Sequence, residues 1–379
     1  MINYQKKKWP TLSTEADISA YCPDGRIPEY HVMIRLSDVR YDTAQQFQQI
    51  ETTIQLLQKH LWDARLVWKR YFVSDAINQS GFINSADNNA AVSIVQQPPL
   101  DGTKVAVWLY LVPDVQLSKE AQCTIMEHSS YRHLFHTQLF SSEGDETTQT
   151  EMLFNQYIQS LAIQECTLEK NCMRTWIFVQ NVDTHYTGMV VARRKCFETE
   201  GLTKDTHFIA STGIEGKYSY PNVLVFMDAF AVRGLKPEQI QYLCAPTHLN
   251  PTHQYGVTFE RGTAIQYGDR RHVYISGTAS INNCGEIEYP LDLLKQTNRM
   301  FENIRSLLAE ADTDMNDVIH LIVYLRDIAD YDTILSYMKQ NHPQIPQVIV
   351  WAPVCRPGWL VEAECMAIKG VSDNRFNDF

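Results

Sequence analysis

Between Arg261 and Lys369 the apolar positions follow two periods, and these separate strands from helices. RGTAIQY and HVYISGTA are short β-branched runs split by Gly268-Asp269-Arg270, which predicts a hairpin. Downstream, Leu291, Leu294, Thr297, Met300, Phe301, Ile304, Leu307 and Leu308 recur at three- and four-residue steps, the stripe of a long amphipathic helix. Asp312 to Asp317 form a turn, VIHLIVYLRD a buried strand and IADYDTILSYMKQ a second amphipathic helix. QVIVWAPV and WLVEAECMAIK close the region as two strands joined through Cys355-Arg356-Pro357-Gly358. The predicted order is β-β-α-β-α-β-β.

Part of that order occurs twice more upstream. HVMIRLSDV, a helix near 43–60, ARLVWKRYFVSD, a short helical stretch, AAVSIVQQ and TKVAVWLYLV form one copy. YRHLFHTQLF, the helix TEMLFNQYIQSLAIQE, MRTWIFVQNV, the helical TGMVVARRKCFE, FIASTG and NVLVFMDAFAV form another. The strands KRYFVSD, RTWIFVQ and LIVYLRD lie side by side in this reading, as do VAVWLYLV, VLVFMDAFAV and LVEAECMAI. The expectation is an α+β chain of three β-α-β-α-β-β modules, over residues 1–117, 118–246 and 247–379. A mixed sheet with both helices on one face leaves its other face apolar, and three such faces close into one core. PTHLNPTHQYG, with two prolines and little apolar content, is the expected linker before the third module.

Composition narrows the class. The chain of 379 residues is 44% hydrophobic and 20% charged, the balance of a globular protein. No run approaches the ~18 apolar residues of a membrane helix, and MINYQKKKWP lacks the apolar core of a secretion signal. Nine cysteines without a regular spacing read as reduced thiols, so a cytoplasmic location without membrane attachment is expected. The net charge of −11, without a basic stripe, opposes nucleic-acid phosphates at long range. Lys6-Lys7-Lys8 reads as a solvated end. His128, His133 and His136, and the pair His248 and His253, lack metal-ligand spacing. Phosphate-loop, dinucleotide and serine-hydrolase motifs are absent from the sequence. No metal and no cofactor is expected.

The candidate chemistry centres on Glu362. Alternation along WLVEAECMA puts Leu360, Glu362 and Glu364 on one face, and Val361, Ala363 and Cys365 on the other. A face with two glutamates lines a cleft or an interface. A desolvated glutamate on a central strand has its pKa raised toward neutrality, which keeps a proton available for donation. The earlier copies have Phe226 and a Trp/Leu stretch at this place, which predicts one complete site per chain. Glu364 reads as a supporting structural group. Arg193, Arg194 and Lys195 cluster on a predicted helix, the usual pattern of a solvated face.

The last module resembles the RidA/YjgF family. YISGTASI, the loop NNCGEI, the QTNRMFENI helix, the DMNDVIHLIVYLRD strand and the closing LVEAECMAIK carry the resemblance. RidA-like proteins are homotrimers with sites at subunit interfaces, so three modules in one chain imply a covalent pseudo-trimer, monomeric or further associated. Family deaminases hold the substrate carboxylate with an arginine on the penultimate strand; Gln347 stands there. A second resemblance is to the chorismatases, through RTWIFVQNVDTHYTG, FIASTGIEG, APTHLNPTHQYG, FERGT, YISGTASI and VCRPGWLVEAE.

The chorismatase resemblance implies cleavage of the chorismate enol ether to pyruvate and a hydroxybenzoate or dihydrodiol, without a cofactor. In the 3-hydroxybenzoate branch a glycine occupies the S-G-T-A position and a cysteine lies seven residues before the catalytic glutamate; here these are Gly277, Cys355 and Glu362. On this reading Glu362 is the acid and Cys355 helps partition the ring intermediate. Gly277 leaves room for the ring, while Arg261 and Arg326 clamp the carboxylates of a small anionic substrate. Tyr255 and Arg194 are further candidate ligands. The rivals are a RidA-like imine or enamine deaminase and a non-catalytic module that binds small carboxylates.

Overall fold

The computed structural model describes residues 2–83 and 89–379. The first module runs β1 (Ile2–Trp9), β2 (Thr14–Tyr21), β3 (Glu29–Leu36), α1 (Thr43–His60), β4 (Arg65–Val73), α2 (Ala76–Gln79), β5 (Ala91–Gln96) and β6 (Val105–Val112). The second runs β7 (Gln116–Glu120), β8 (Cys123–His128), β9 (Tyr131–Phe140), α3 (Glu146–Ile163), α4 (Leu168–Asn171), β10 (Cys172–Val179), α5 (Val182–Thr199), β11 (Ala210–Glu215) and β12 (Val225–Arg233). The third runs β13 (Ile240–Leu243), β14 (Gly262–Gln266), β15 (Arg270–Ala279), α6 (Leu293–Glu310), β16 (Val318–Leu325), α7 (Tyr331–Asn341), β17 (Gln347–Trp351) and β18 (Val361–Gly370).

Each module builds one six-stranded sheet, and all three have the same order: β1-β2-β3-β6-β4-β5, β7-β8-β9-β12-β10-β11 and β13-β14-β15-β18-β16-β17. The pairs β4/β5, β10/β11 and β16/β17 are parallel and the remaining pairs antiparallel. Three of the four 18-residue helices, α1, α3 and α6, start by one device: Asp42, Asp145 and Asp292 each accept a backbone N–H of the first turn. The modular α+β reading of the sequence holds.

Three details differ from the sequence reading. Residues 2–9 are a strand rather than a free end, so Lys6-Lys7-Lys8 lies on the edge strand β1. Helix α6 begins at Leu293; Leu291 and Leu294 are solvent-exposed and lie outside its buried stripe. β13 pairs with β14 and starts at Ile240, so the third sheet begins before residue 247, and PTHLNPTHQYG lies inside that module.

The sheet faces away from the helices meet in one aromatic centre that includes Trp68, Trp108, Phe135, Trp176 and Phe230. A buried arginine–carboxylate pair crosses each module boundary. Arg70–Asp228 joins the first to the second at 2.9 Å, Arg174–Glu364 the second to the third at 2.9 Å, and Arg270–Glu29 the third to the first at 2.6 Å. Unpairing such a charge costs about 3–5 kcal/mol, so the three pairs hold the modules in one register. Among the described residues no helix is long and apolar enough to cross a membrane.

Candidate active site

β18 lies between β15 and β16, and Glu362 sits opposite Ala279 on one side and Tyr324 on the other. Its side chain enters a cleft between the second and third modules. Tyr186 and Arg193 of α5 and Ser211 and Gly213 of β11 form one wall. Tyr255, Phe259, Arg261, Gly277, Cys355, Arg356 and Trp359 come from the third module. The space between them, mouth included, is about 530 Å³. Two short bridges, Ala210 to Glu260 and Ile214 to Val354, fix the modules beside this cleft.

Glu362 is buried, with a relative exposure of 5%. Burial and the neighbouring Glu364 carboxylate push its pKa from 4.5 to about 8, against the pull of Arg174 and Arg261. Among the described residues no hydrogen bond holds its carboxyl. Glu364 is the opposite case. It accepts from Arg174 Nη2 at 2.9 Å, from Trp176 Nε1 at 2.7 Å and from the Thr212 hydroxyl.

Gly277 lies in the irregular stretch of β15 between Ile275 and Thr278, where the ladder to β18 shifts register. A Cβ there would overlap Glu362 Oε1 and lie 3.0 Å from Thr212 Cγ2. Its first role is therefore to make room for the Glu362 carboxyl, whereas the sequence pointed to room for a substrate ring.

Of the predicted arginines, Arg261 faces the cleft. Its Nη2 donates to the Asn250 backbone and side-chain oxygens at 3.1 Å each, and its buried Nε has no partner. Arg326 does not line the cleft. It donates to both Asp183 oxygens at 2.9 Å and to Val354 O, tying β16 to the first turn of α5. The expected carboxylate clamp is thus an inter-module strut.

Arg194 also stays outside; it donates to Gly256 O and so tethers the loop that carries Tyr255. Its neighbour Arg193 takes the inward place, 1% exposed, with Nε and Nη2 unpartnered. Helix phase explains the swap, because Met189, Arg193 and Phe197 are all buried at four-residue steps along α5. That spacing was the available signal, hidden by reading RRK as one charged run.

Arg356 adds a third guanidinium. It lies 4.4 Å from the Tyr255 ring centroid and 4.9 Å from that of Trp359, and donates to Gly285 O at 3.2 Å. Cys355 lies in the cleft beside Tyr186. Burial and the Glu362 charge push its thiol to about 12, so it stays protonated and uncharged. Burial raises the Tyr186 and Tyr255 hydroxyls in the same way.

Gln347 lies elsewhere. It is on β17, which lines the cleft between the first and third modules. It pairs with Leu321, four residues before the end of β16; the matching residue of β10 is Thr175, whose partner on β11 is Ser211. In the Glu362 cleft the corresponding side chain is therefore a serine hydroxyl.

A family model described as Endoribonuclease L-PSP matches residues 262–369. A RutC family protein of Pyrococcus abyssi is 32% identical over 111 residues, which are 28% of this chain and 84% of that relative. The 3-aminoacrylate deaminase RutC of Acinetobacter baylyi is 27% identical over 99 residues, 25% of this chain and 77% of the relative. A chorismatase crystal structure superposes with a TM-score of 0.64 at 18% identity, covering 80% of this chain and 93% of that one. At that identity the likeness defines the fold, and it extends through the modules that the shorter relatives do not reach.

Proposed function

The chain belongs to the RutC family through its third module, and from that footing we propose that the cleft between modules two and three cleaves the enol ether of chorismate, with pyruvate and 3-hydroxybenzoate as products. One observation carries the reading. A carboxyl with its pKa raised to about 8 shares a buried cleft with Arg193, whose Nε and Nη2 have no protein acceptor, and with Arg261, whose Nε has none. A substrate with two carboxylates and an enol ether uses both features. The chorismatase-like arrangement of all three modules supports the same choice.

In this reaction Arg193, Arg261 and Arg356 hold the carboxylates, and Tyr186, Tyr255, Phe259 and Trp359 wall the ring. Glu362 gives its proton to the terminal methylene carbon. The ring C–O bond breaks, and the ether oxygen leaves with pyruvate. The adjacent ring hydroxyl keeps its oxygen on the ring, and the proton lost on aromatisation returns to Glu362. The two products add up to the substrate, so neither water nor an oxidant is consumed. Cys355 takes part as a neutral thiol against the ring rather than as a nucleophile.

Purified protein incubated with chorismate should release pyruvate and one aromatic acid, which chromatography should identify as 3-hydroxybenzoate. A dihydrodiol instead would correct the product and leave the proton-donor reading standing. No pyruvate at all would sink the proposal.

The 27% identity to a 3-aminoacrylate deaminase favours a second reading, protonation of an enamine carbon by the same acid. Ser211 in place of a cation on β11 weakens it. Ammonia release from 3-aminoacrylate, with no pyruvate released from chorismate, would decide for it.

A further inference from the structure

Two glutamates share one face of β18, and the protein treats them oppositely. Glu364 receives three donors: the Arg174 guanidinium, the Trp176 indole N–H and the Thr212 hydroxyl. Arg174 is committed further, donating to Thr212 Oγ1 at 2.5 Å and Ser276 Oγ at 3.4 Å. Thr212 accepts a second bond, from Gly277 N at 2.9 Å, and is locked in turn. Glu362, one strand repeat away, has none of these donors.

We propose that Glu364 is a positioning residue for the acid: it takes these donors at the junction of modules two and three and stands as a fixed anion beside Glu362, which keeps Glu362 protonated at neutral pH. This rests on the reading of Glu362 as the proton donor. It gives the buried cross-module pair Arg174–Glu364 a role that the other two pairs lack. On this proposal the acid depends on module two, because Arg174 and Trp176 of β10 and Thr212 of β11 are the residues that bond Glu364.

The groups facing Glu362 come from several elements, and Tyr186 and Arg193 of α5 and Tyr255 and Arg356 of the third module line the same cleft. Glu364 on its own strand disfavours ionisation, while Arg174 on β10 and Arg261 before β14 favour it. Cys355 in the loop before β18 and Tyr324 on β16 both face it and are themselves uncharged, because burial above all opposes their ionisation. Arg174 is closer in effect than Arg261, and its charge is already satisfied by Glu364. Removing the Glu364 charge takes away the repulsion and frees Arg174 to turn toward Glu362. Both changes favour the carboxylate, so the expected shift has one sign.

The test reads the proton on Glu362 directly and needs no substrate. Infrared difference spectra against pH show the carbonyl band of a protonated carboxylic acid; the component lost in Glu362→Gln belongs to Glu362. In the wild type that component should titrate near pH 8. In Glu364→Gln its midpoint should fall by about 1–3 units, the range of a nearby charge. If Glu364→Gln does not fold, Glu364→Asp replaces it, drawing the anion back by one methylene. The midpoint should then fall by less, in the same direction.

An unmoved midpoint in whichever variant folds overturns the assignment. A band that titrates near 8 in a protein that leaves chorismate untouched would keep the Glu364 role and remove the reaction instead. If activity is present, the descending limb of its pH profile should shift with the infrared midpoint, whereas a merely structural role lowers the rate at every pH alike.

Discussion

The cleft at Glu362 and its counterpart between the third and first modules are built from the same strands and differ in what their charges are doing. Glu362 faces the next-to-last residue of β16, Tyr324; the same register in the other modules pairs Phe226 with Phe178 and Ala106 with Phe72. The Ala106 cleft is larger, about 1070 Å³ with its mouth, and is lined by Met33, Arg35, Tyr331, Leu335 and Gln347 among others. Its one arginine is neutralised, donating to Glu15 and Asp17 at 2.6 Å each. In the Glu362 cleft, Arg193 and Arg261 keep N–H groups without a protein acceptor. The fold supplies both clefts, and the proposed reactivity belongs to the one where a protonated carboxyl meets guanidinium N–H groups that lack a protein acceptor.

The strongest way to break that contrast is Glu362→Gln. Loss of a general acid lowers the rate by about 10²–10⁴-fold, read as pyruvate release. The same variant should be more stable above neutrality. The folded pKa of about 8 lies above the ordinary 4.5, so the folded chain holds an extra proton between those values and loses stability as pH rises through them. The Gln variant lacks that loss. Its melting temperature should exceed that of the wild type at pH about 8 and converge with it at acid pH.

Next in size is Gly277→Ala. The added methyl collides with Glu362 Oε1 and with Thr212, and a misplaced acid loses about 10²-fold in kcat. Full activity in that variant would show that the carboxyl does not need its present position.

Arg193→Met should raise KM about 10-fold or more with a smaller change in kcat, the effect of losing one charge-assisted contact. Arg326→Gln sharpens the contrast from the other side. It removes a half-exposed ion pair with Asp183, so it should lower stability by about 0–1 kcal/mol and leave KM unchanged. Smallest of all, Ala106→Glu should add no second activity, because Arg35 in that cleft is already paired.

Much of the third module was legible because its strands are central and its helices strongly amphipathic. The edge strands were not. β1 carries three consecutive lysines and β2 reads TEADISAY, and both are held by pairing to neighbours rather than by an apolar run. Glu362, Arg261, Tyr255, Gly277 and Cys355 were visible locally, on a strand face or in motif positions, and they share the cleft. The Arg326 strut depends on Asp183, 143 residues away, which no local pattern reveals. Arg193 was obscured by its charged neighbours, and Ser211 by the fact that the site joins two modules.

The most direct measurement is the pH dependence of pyruvate release from chorismate by the wild type and by Glu362→Gln. Loss of wild-type activity as pH rises through about 8, with the variant inactive throughout, is the predicted result. A rate that holds above that pH, or release by the variant at a wild-type level, would contradict Glu362 as the proton donor.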